Sequence, residues 1–194
     1  MSHRVIAGRA KGHRLQLVPG DGTRPITDRA KEALFNIIGR DIYDAFFLDL
    51  FAGTGAVGIE ALSRGATFAL FTDLDRRAIR TIENNLKSTH LADEAEVYRM
   101  NAFTLLERPP DDKYEFIYVA PPQYKEIWSQ ALQALDANPA WLPEGTRVIV
   151  QIDPKEKTDL TLKHLIETDE RRYGNTLLVF YEAVPTDSQT QEQD

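Results

Sequence analysis

The chain has no cysteine among its 194 residues. That absence excludes disulfides, thiol nucleophiles and cysteine–zinc sites, and it suits a cytoplasmic protein. Long apolar runs are also missing, and nothing approaches the ~20 residues needed to cross a bilayer. The start of the chain, Met1-Ser2-His3-Arg4-Val5, lacks the apolar core of a signal peptide. Histidine is scarce, with four residues at positions 3, 13, 90 and 164. None stands at metal-ligand spacing, so no metal is expected. What remains is ordinary globular material. Hydrophobic residues make up 42% and charged residues 27%, more apolar content than a disordered chain carries. The length suits one α/β domain with a small appendage.

Charge is unevenly placed. The net charge is −7, yet residues 1–40 hold 8 Lys+Arg against 3 Asp+Glu, while residues 41–194 hold 15 against 27. A basic arm on an acidic body suits a phosphate backbone. The plainer alternative is a solvated basic edge.

Local patterns predict the elements in turn. Arg4–Ala7 and His13–Leu17 flank the basic, glycine-bounded turn Gly8–Gly12 and read as a short β-hairpin. Thr27 can cap a helix over Asp28–Ile38, whose Ala30, Ala33, Leu34, Ile37 and Ile38 share one face. Strand and helix then alternate. The strands expected are Phe46–Phe51, Phe68–Thr72, Glu96–Arg99, Phe116–Val119, Arg147–Gln151 and Asn175–Ala183. Helices fall at Ala56–Ser63, Asp75–Ser88, Ala102–Glu107 and Lys125–Leu135. Leu160–Thr168 fits helix or strand. Repeated β-α-β units imply a mostly parallel sheet with helices on both faces. Organisation follows as an N-terminal extension over 1–40, a main domain over 41–185 and a disordered tail over 186–194.

The strongest signal is Asp49-Leu50-Phe51-Ala52-Gly53-Thr54-Gly55-Ala56-Val57-Gly58, which leaves a strand and opens a helix. Gly53, Gly55 and Gly58 fit the dinucleotide fingerprint. Asp49, at the strand end, would repel a pyrophosphate but would attract the α-amino group of S-adenosylmethionine. Asp73 ends the next strand, where an acid accepts hydrogen bonds from ribose hydroxyls in either cofactor class. The pair favours S-adenosylmethionine over NAD, and a tight turn without ligand is the third alternative. Asn101-Ala102 follows the third strand, where a polar side chain would meet an adenine amino group or cap a helix.

These stretches resemble the RsmD-type family of the class I S-adenosylmethionine-dependent methyltransferases, which methylates the exocyclic amino group of a guanine in small-subunit ribosomal RNA. The resemblance spans roughly 3–184. It rests on Arg4–Gly8 with Lys11–Leu15, on Arg24–Arg29 with Lys31–Asn36, on Asp49–Gly65 and on Pro121-Pro122. It implies a Rossmann-like seven-stranded sheet with an N-terminal hairpin and helix that help hold RNA. It further implies that Thr27, Asp49, Phe51, Gly53, Gly55, Asp73, Leu74, Asn101 and Ala102 form the cofactor pocket. Arg4, Arg9, Lys11, Arg14, Arg24, Arg29 and Lys31 would contact RNA. The implied protein is a cytoplasmic monomer acting on ribosomal RNA or a small-subunit assembly particle, with no membrane partner.

One departure matters. Such enzymes carry Asp or Asn, then Pro-Pro, then Phe or Tyr, after the fourth strand. The acid or amide accepts a hydrogen bond from the target amino group, and the ring stacks on the flipped base. Here the segment reads Ala120-Pro121-Pro122-Gln123-Tyr124. A rebuilt catalytic loop would use the Gln123 carbonyl and the Tyr124 ring. The alternatives are a catalytically impaired RNA-binding or assembly protein, and an amino methyltransferase acting on DNA or another substrate.

Overall fold

The computed structural model describes residues 3–20 and 25–184. The expected tail over 186–194, and Arg24, lie outside the described residues. Five helices and seven strands run as α1 (Asp28–Ile38), β1 (Phe46–Asp49), α2 (Ala56–Ser63), β2 (Phe68–Asp73), α3 (Arg76–Ser88), β3 (Ala95–Arg99), α4 (Ala102–Leu106), β4 (Phe116–Val119), α5 (Ile127–Ala137), β5 (Arg147–Ile152), β6 (Leu165–Tyr173) and β7 (Thr176–Ala183). The strands form one sheet in the order β3-β2-β1-β4-β5-β7-β6. Pairings from β3 through β5 are parallel, and β7 runs antiparallel between β5 and β6.

Side-chain alternation splits the core into two layers. Phe47, Phe71, Phe116, Tyr118 and Ile149 face α1, α2 and α3. Leu48, Leu70, Ile117, Val119 and Val150 face α4 and α5. Three helices begin at side-chain caps placed by the sequence. Thr27 accepts from Ala30 N–H, Asp75 from Arg77 N–H and Asn101 from Phe103 N–H. The chain reverses its direction of build-out between β1 and β4, and the carboxyl ends of these neighbours open the crevice that such sheets use for ligands.

The N-terminal segment forms the expected hairpin in short form. Arg4 bridges Arg14 in antiparallel fashion, Val5 N–H donates to His13 O at 2.9 Å, Gly12 N–H to Val5 O at 2.9 Å and Leu15 N–H to His3 O at 2.8 Å. Other donors of the segment go to α2. Ile6 and Ala7 N–H donate to the Glu60 carboxylate at 2.9 and 3.0 Å, and Arg9 N–H to Ser63 O at 2.8 Å. Gly8 makes this possible, since a Cβ there would lie 1.8 Å from Ser63 O. Val5, Ala10 and Leu15 share one buried cluster with the sheet. At the other end, the ambiguous stretch resolves as irregular chain up to His164 and strand from Leu165.

Candidate functional site

A cavity of about 830 Å³ opens at the carboxyl ends of β1, β2, β4 and β5. The loop after β1 forms its floor. Gly53, at φ 56°, has open space where a Cβ would stand. Its N–H donates to Asp73 Oδ2 at 2.9 Å, while Asp75 N–H donates to Oδ1 at 2.8 Å. Each Asp73 oxygen keeps a further lone pair for a ligand hydroxyl. Burial raises the Asp73 pKa, and its backbone donors oppose the rise.

Asp49 is the most informative group on the wall. Its Oδ2 accepts from Gly58 N–H at 3.1 Å, in the first turn of α2. Its Oδ1 is buried and has no hydrogen-bond partner among the described residues. Burial pushes the carboxyl up to about 7, the Gly58 donor pulls it down and Asp73 adds to the rise. A buried carboxylate oxygen without a partner costs on the order of 1–3 kcal/mol or more. A cationic ligand group would relieve that cost.

Phe51, Leu74, Asn101 and Ala102 line the cavity as expected, joined by Met100 and Phe103. Asn101 serves both expected roles, since it caps α4 through Oδ1 and stands on the wall. Two expected residues are off the wall. Thr27 is occupied as the α1 cap, and its neighbours Pro25 and Ile26 line the cavity in its place. Gly55 supplies the left-handed turn before α2 at φ 77°, where a Cβ would face Ile59 and Ile82 in the core.

Some of the wall was not visible in local motifs. Leu17 and Val18 come from the N-terminal segment, and Tyr118 and Gln151 from β4 and β5. Asn85 holds the segment in place. Its Oδ1 accepts from Gln16 N–H at 2.7 Å, and its amide donates to Gln16 O and to Thr54 O in the glycine loop. His3 Nε2 meets Thr54 Oγ1 at 2.9 Å. An asparagine buried on the apolar face of α3 was the available signal.

At the opposite end stand Ala120, Pro121, Pro122 and Gln123. Tyr124 does not join them. Its hydroxyl donates to Asp153 at 2.9 Å, its N–H donates to Glu156, and the residue is 65% exposed. The Asp153–Glu156 turn, closed at its N-terminal end by a capping box of those two carboxylates, holds it aside.

The expected RNA contacts divide. Lys31 is buried, not exposed. Its ammonium donates to Arg4 O at 2.6 Å and lies 3.3 Å from Glu60, so no phosphate can reach it. Arg4 pairs with Asp28 and Arg9 with Glu94 at the surface. Lys11, Arg14 and Arg29 are exposed, with no ion pair among the described residues. No cluster able to hold a metal ion occurs among the described residues, and no helix there is long and apolar enough to cross a membrane.

Comparison with known proteins gives this geometry a lineage. The model of the family described as conserved hypothetical protein 95 matches residues 3–182. The chain belongs to that family. A protein described as rRNA methyltransferase YlbH of Bacillus subtilis is 39% identical over 180 residues, covering 92% of this chain and 97% of that one. The ribosomal RNA small subunit methyltransferase D of Haemophilus influenzae is 32% identical over 173 residues, covering 88% and 89%. The solved structure of yhhF from Escherichia coli is 30% identical with a TM-score of 0.83, covering 94% and 98%. The RsmD-type resemblance and the Rossmann-like methyltransferase sheet read from the sequence are thereby borne out.

Proposed function

We propose that this chain is an S-adenosylmethionine-dependent methyltransferase that modifies the exocyclic amino group of a guanine in small-subunit ribosomal RNA. The observation that carries the reading is the unpartnered Asp49 Oδ1 beside a glycine loop. That site suits a ligand with an ammonium group and no phosphate. The relative of Haemophilus influenzae supplies the substrate class, because its name specifies small-subunit ribosomal RNA.

S-adenosylmethionine brings a methyl group activated on a sulfonium. Asp49 would hold its amino group, Asp73 its ribose hydroxyls, and Leu74, Asn101, Ala102 and Phe103 its adenine. Phe51, in edge contact with Phe103, keeps that end dry. Ala120 to Gln123 would border the base. Transfer between two bound groups needs mainly proximity and alignment. The cavity wall supplies both, because it belongs to strand ends and to a bolted-down N-terminal segment.

Lys11, Arg14 and Arg29 are the RNA contacts this reading keeps, together with Arg4 and Arg9 if phosphates displace Asp28 and Glu94. The protein would act in the cytoplasm as a monomer, on ribosomal RNA or on a small-subunit assembly particle. Ala120 favours a second reading, a binding or assembly protein with impaired catalysis. The test is transfer of labelled methyl to unmethylated small-subunit RNA, to the particle and to DNA. Label in guanine of the RNA or particle supports the reading. Cofactor binding with no transfer to any substrate supports the second, and transfer to DNA alone overturns both.

A further inference from the structure

At the acceptor end of the cavity the loop keeps main-chain carbonyls before and within Pro121-Pro122 but lacks a side-chain acceptor. An exocyclic amino group on an aromatic base spreads its lone pair into the ring and is a poor nucleophile. A hydrogen-bond acceptor on its N–H localises that pair and aims it. The loop after β4 offers little. Ala120 has no polar side chain, and neither proline has one. Gln123 is exposed, and the Tyr124 hydroxyl is committed to Asp153.

The sheet behind the loop does offer an acceptor. Val119 pairs with Val150 in parallel register, which sets Gln151 beside Ala120 on the neighbouring strand. Gln151 is half-buried and lines the cavity, as does Tyr118. The Tyr118 hydroxyl donates to Gln151 Oε1. Their companions on this face of β4 and β5, Phe116 and Ile149, are apolar and buried. A phenol–amide pair among them is costly to bury unless its polar atoms are used. An amide oxygen has two lone pairs, and Tyr118 takes one. Burial and the Asp49 charge hold the Tyr118 hydroxyl well above its usual pKa, so it stays a donor.

We propose that Gln151 Oε1 accepts the hydrogen bond of the amino group that receives the methyl, in place of the side chain that Ala120 does not supply. Tyr118 is the positioning residue that fixes the amide. This deepens the methyl-transfer reading and rests on it. In the step, the amino nitrogen forms the new N–C bond with its lone pair. The electron pair of the broken S–C bond stays on sulfur, and the proton released from nitrogen goes to water in the open cavity. A neutral amide orients that proton but does not keep it.

The experiment is single-turnover transfer of labelled methyl to unmethylated small-subunit RNA. It compares the unmodified protein with Gln151→Leu, Gln151→Glu, Tyr118→Phe and the pair Gln151→Leu with Ala120→Asp. Cofactor affinity is measured by calorimetry on each. Gln151→Leu should slow transfer by about tenfold to a hundredfold, with cofactor affinity changed less than about twofold. Gln151→Glu, which keeps an acceptor, should stay within about fivefold, and Tyr118→Phe should fall between. Ala120→Asp should restore much of the rate in the Gln151→Leu background, which a purely structural role for Gln151 would not allow. If the unmodified protein transfers methyl and Gln151→Leu matches it, the acceptor role is overturned while the function stands. If the unmodified protein transfers none, the function falls and the acceptor role with it.

Discussion

The two ends of the cavity are built differently. The glycine-loop end is made of short-range geometry. Asp49, Gly53 and Gly58 lie within ten residues, Asp73 closes the loop through Gly53 N–H, and one buried oxygen is left for a ligand. The acceptor end is made of parts from separate strands. Tyr118 and Gln151 meet only through the pairing of β4 with β5, and the loop between Ala120 and Glu126 carries non-glycine residues at positive φ, Tyr124 and Glu126. The first end reads as a fixed receptacle for a small molecule. The second has a border tied to an exposed turn, as a site that admits a base from a large partner needs.

The largest expected effect tests whether the receptacle depends on its N-terminal anchor. Glu60 is buried and holds Ile6, Ala7, Arg64 and Lys31. Glu60→Ala leaves the Lys31 ammonium buried without its counter-charge, so stability to denaturant should drop by about 3–5 kcal/mol. A loss under about 1 kcal/mol would show that the segment is not anchored there.

A smaller effect is expected from Asp73→Ala. It removes a ligand acceptor and also frees the Gly53 and Asp75 N–H groups. Cofactor affinity measured by calorimetry should weaken by roughly tenfold to a hundredfold, as loss of a charged hydrogen bond of ~1.5–3 kcal/mol implies. Transfer at saturating cofactor should change far less, because the acceptor end is separate.

The pH dependence distinguishes the two ends again. Asp49 has its pKa raised by burial to about 7, so below that pH the free protein holds a proton there. A ligand ammonium favours the carboxylate, and binding must release that proton. Affinity should therefore rise as pH increases from 6 to 7 and flatten above it. Calorimetry in buffers of different ionisation enthalpy should detect release approaching one proton at pH 6 and little at pH 8. For folding alone the sign is opposite. The raised pKa favours the folded state below about 7, and this contribution is lost as pH rises through that value.

Least in magnitude is the outer surface. Lys11→Ala with Arg14→Ala should weaken RNA binding and flatten its salt dependence by about one unit of slope per lost contact. Cofactor affinity should not move. An unchanged slope would mark both side chains as merely solvated.

How far the sequence foretold all this follows the same division. The glycine loop, the Asp28–Ile38 and Ala56–Ser63 helices and the Phe116–Val119 strand could be read, because caps, glycines and periodicity act over a few residues. Lys31 could not. The resemblance placed it among the RNA contacts, whereas the docking of residues 4–7 onto α2 buries it between Arg4 O and Glu60. The N-terminal hairpin could be read, but not its docking, in which the N–H groups of Ile6, Ala7 and Arg9 reach Glu60 and Ser63 on α2. Tyr124 misled because a ring next to a proline pair looks like a stacking platform until Asp153 and Glu156 are brought beside it. Gln151 was invisible because its meaning comes from Ala120 and Tyr118 across a strand boundary.

In the proposed function Asp49 holds the ammonium group of S-adenosylmethionine through the oxygen that has no partner among the described residues. Calorimetric titration of that cofactor into the unmodified protein and into Asp49→Asn tests it most directly. The first should bind it with micromolar affinity. The second should lose affinity by at least about tenfold, from a charged hydrogen bond of ~1.5–3 kcal/mol, with thermal stability kept or raised because a buried charge is gone. Equal affinity in both proteins, or binding of NAD in place of S-adenosylmethionine, would contradict it.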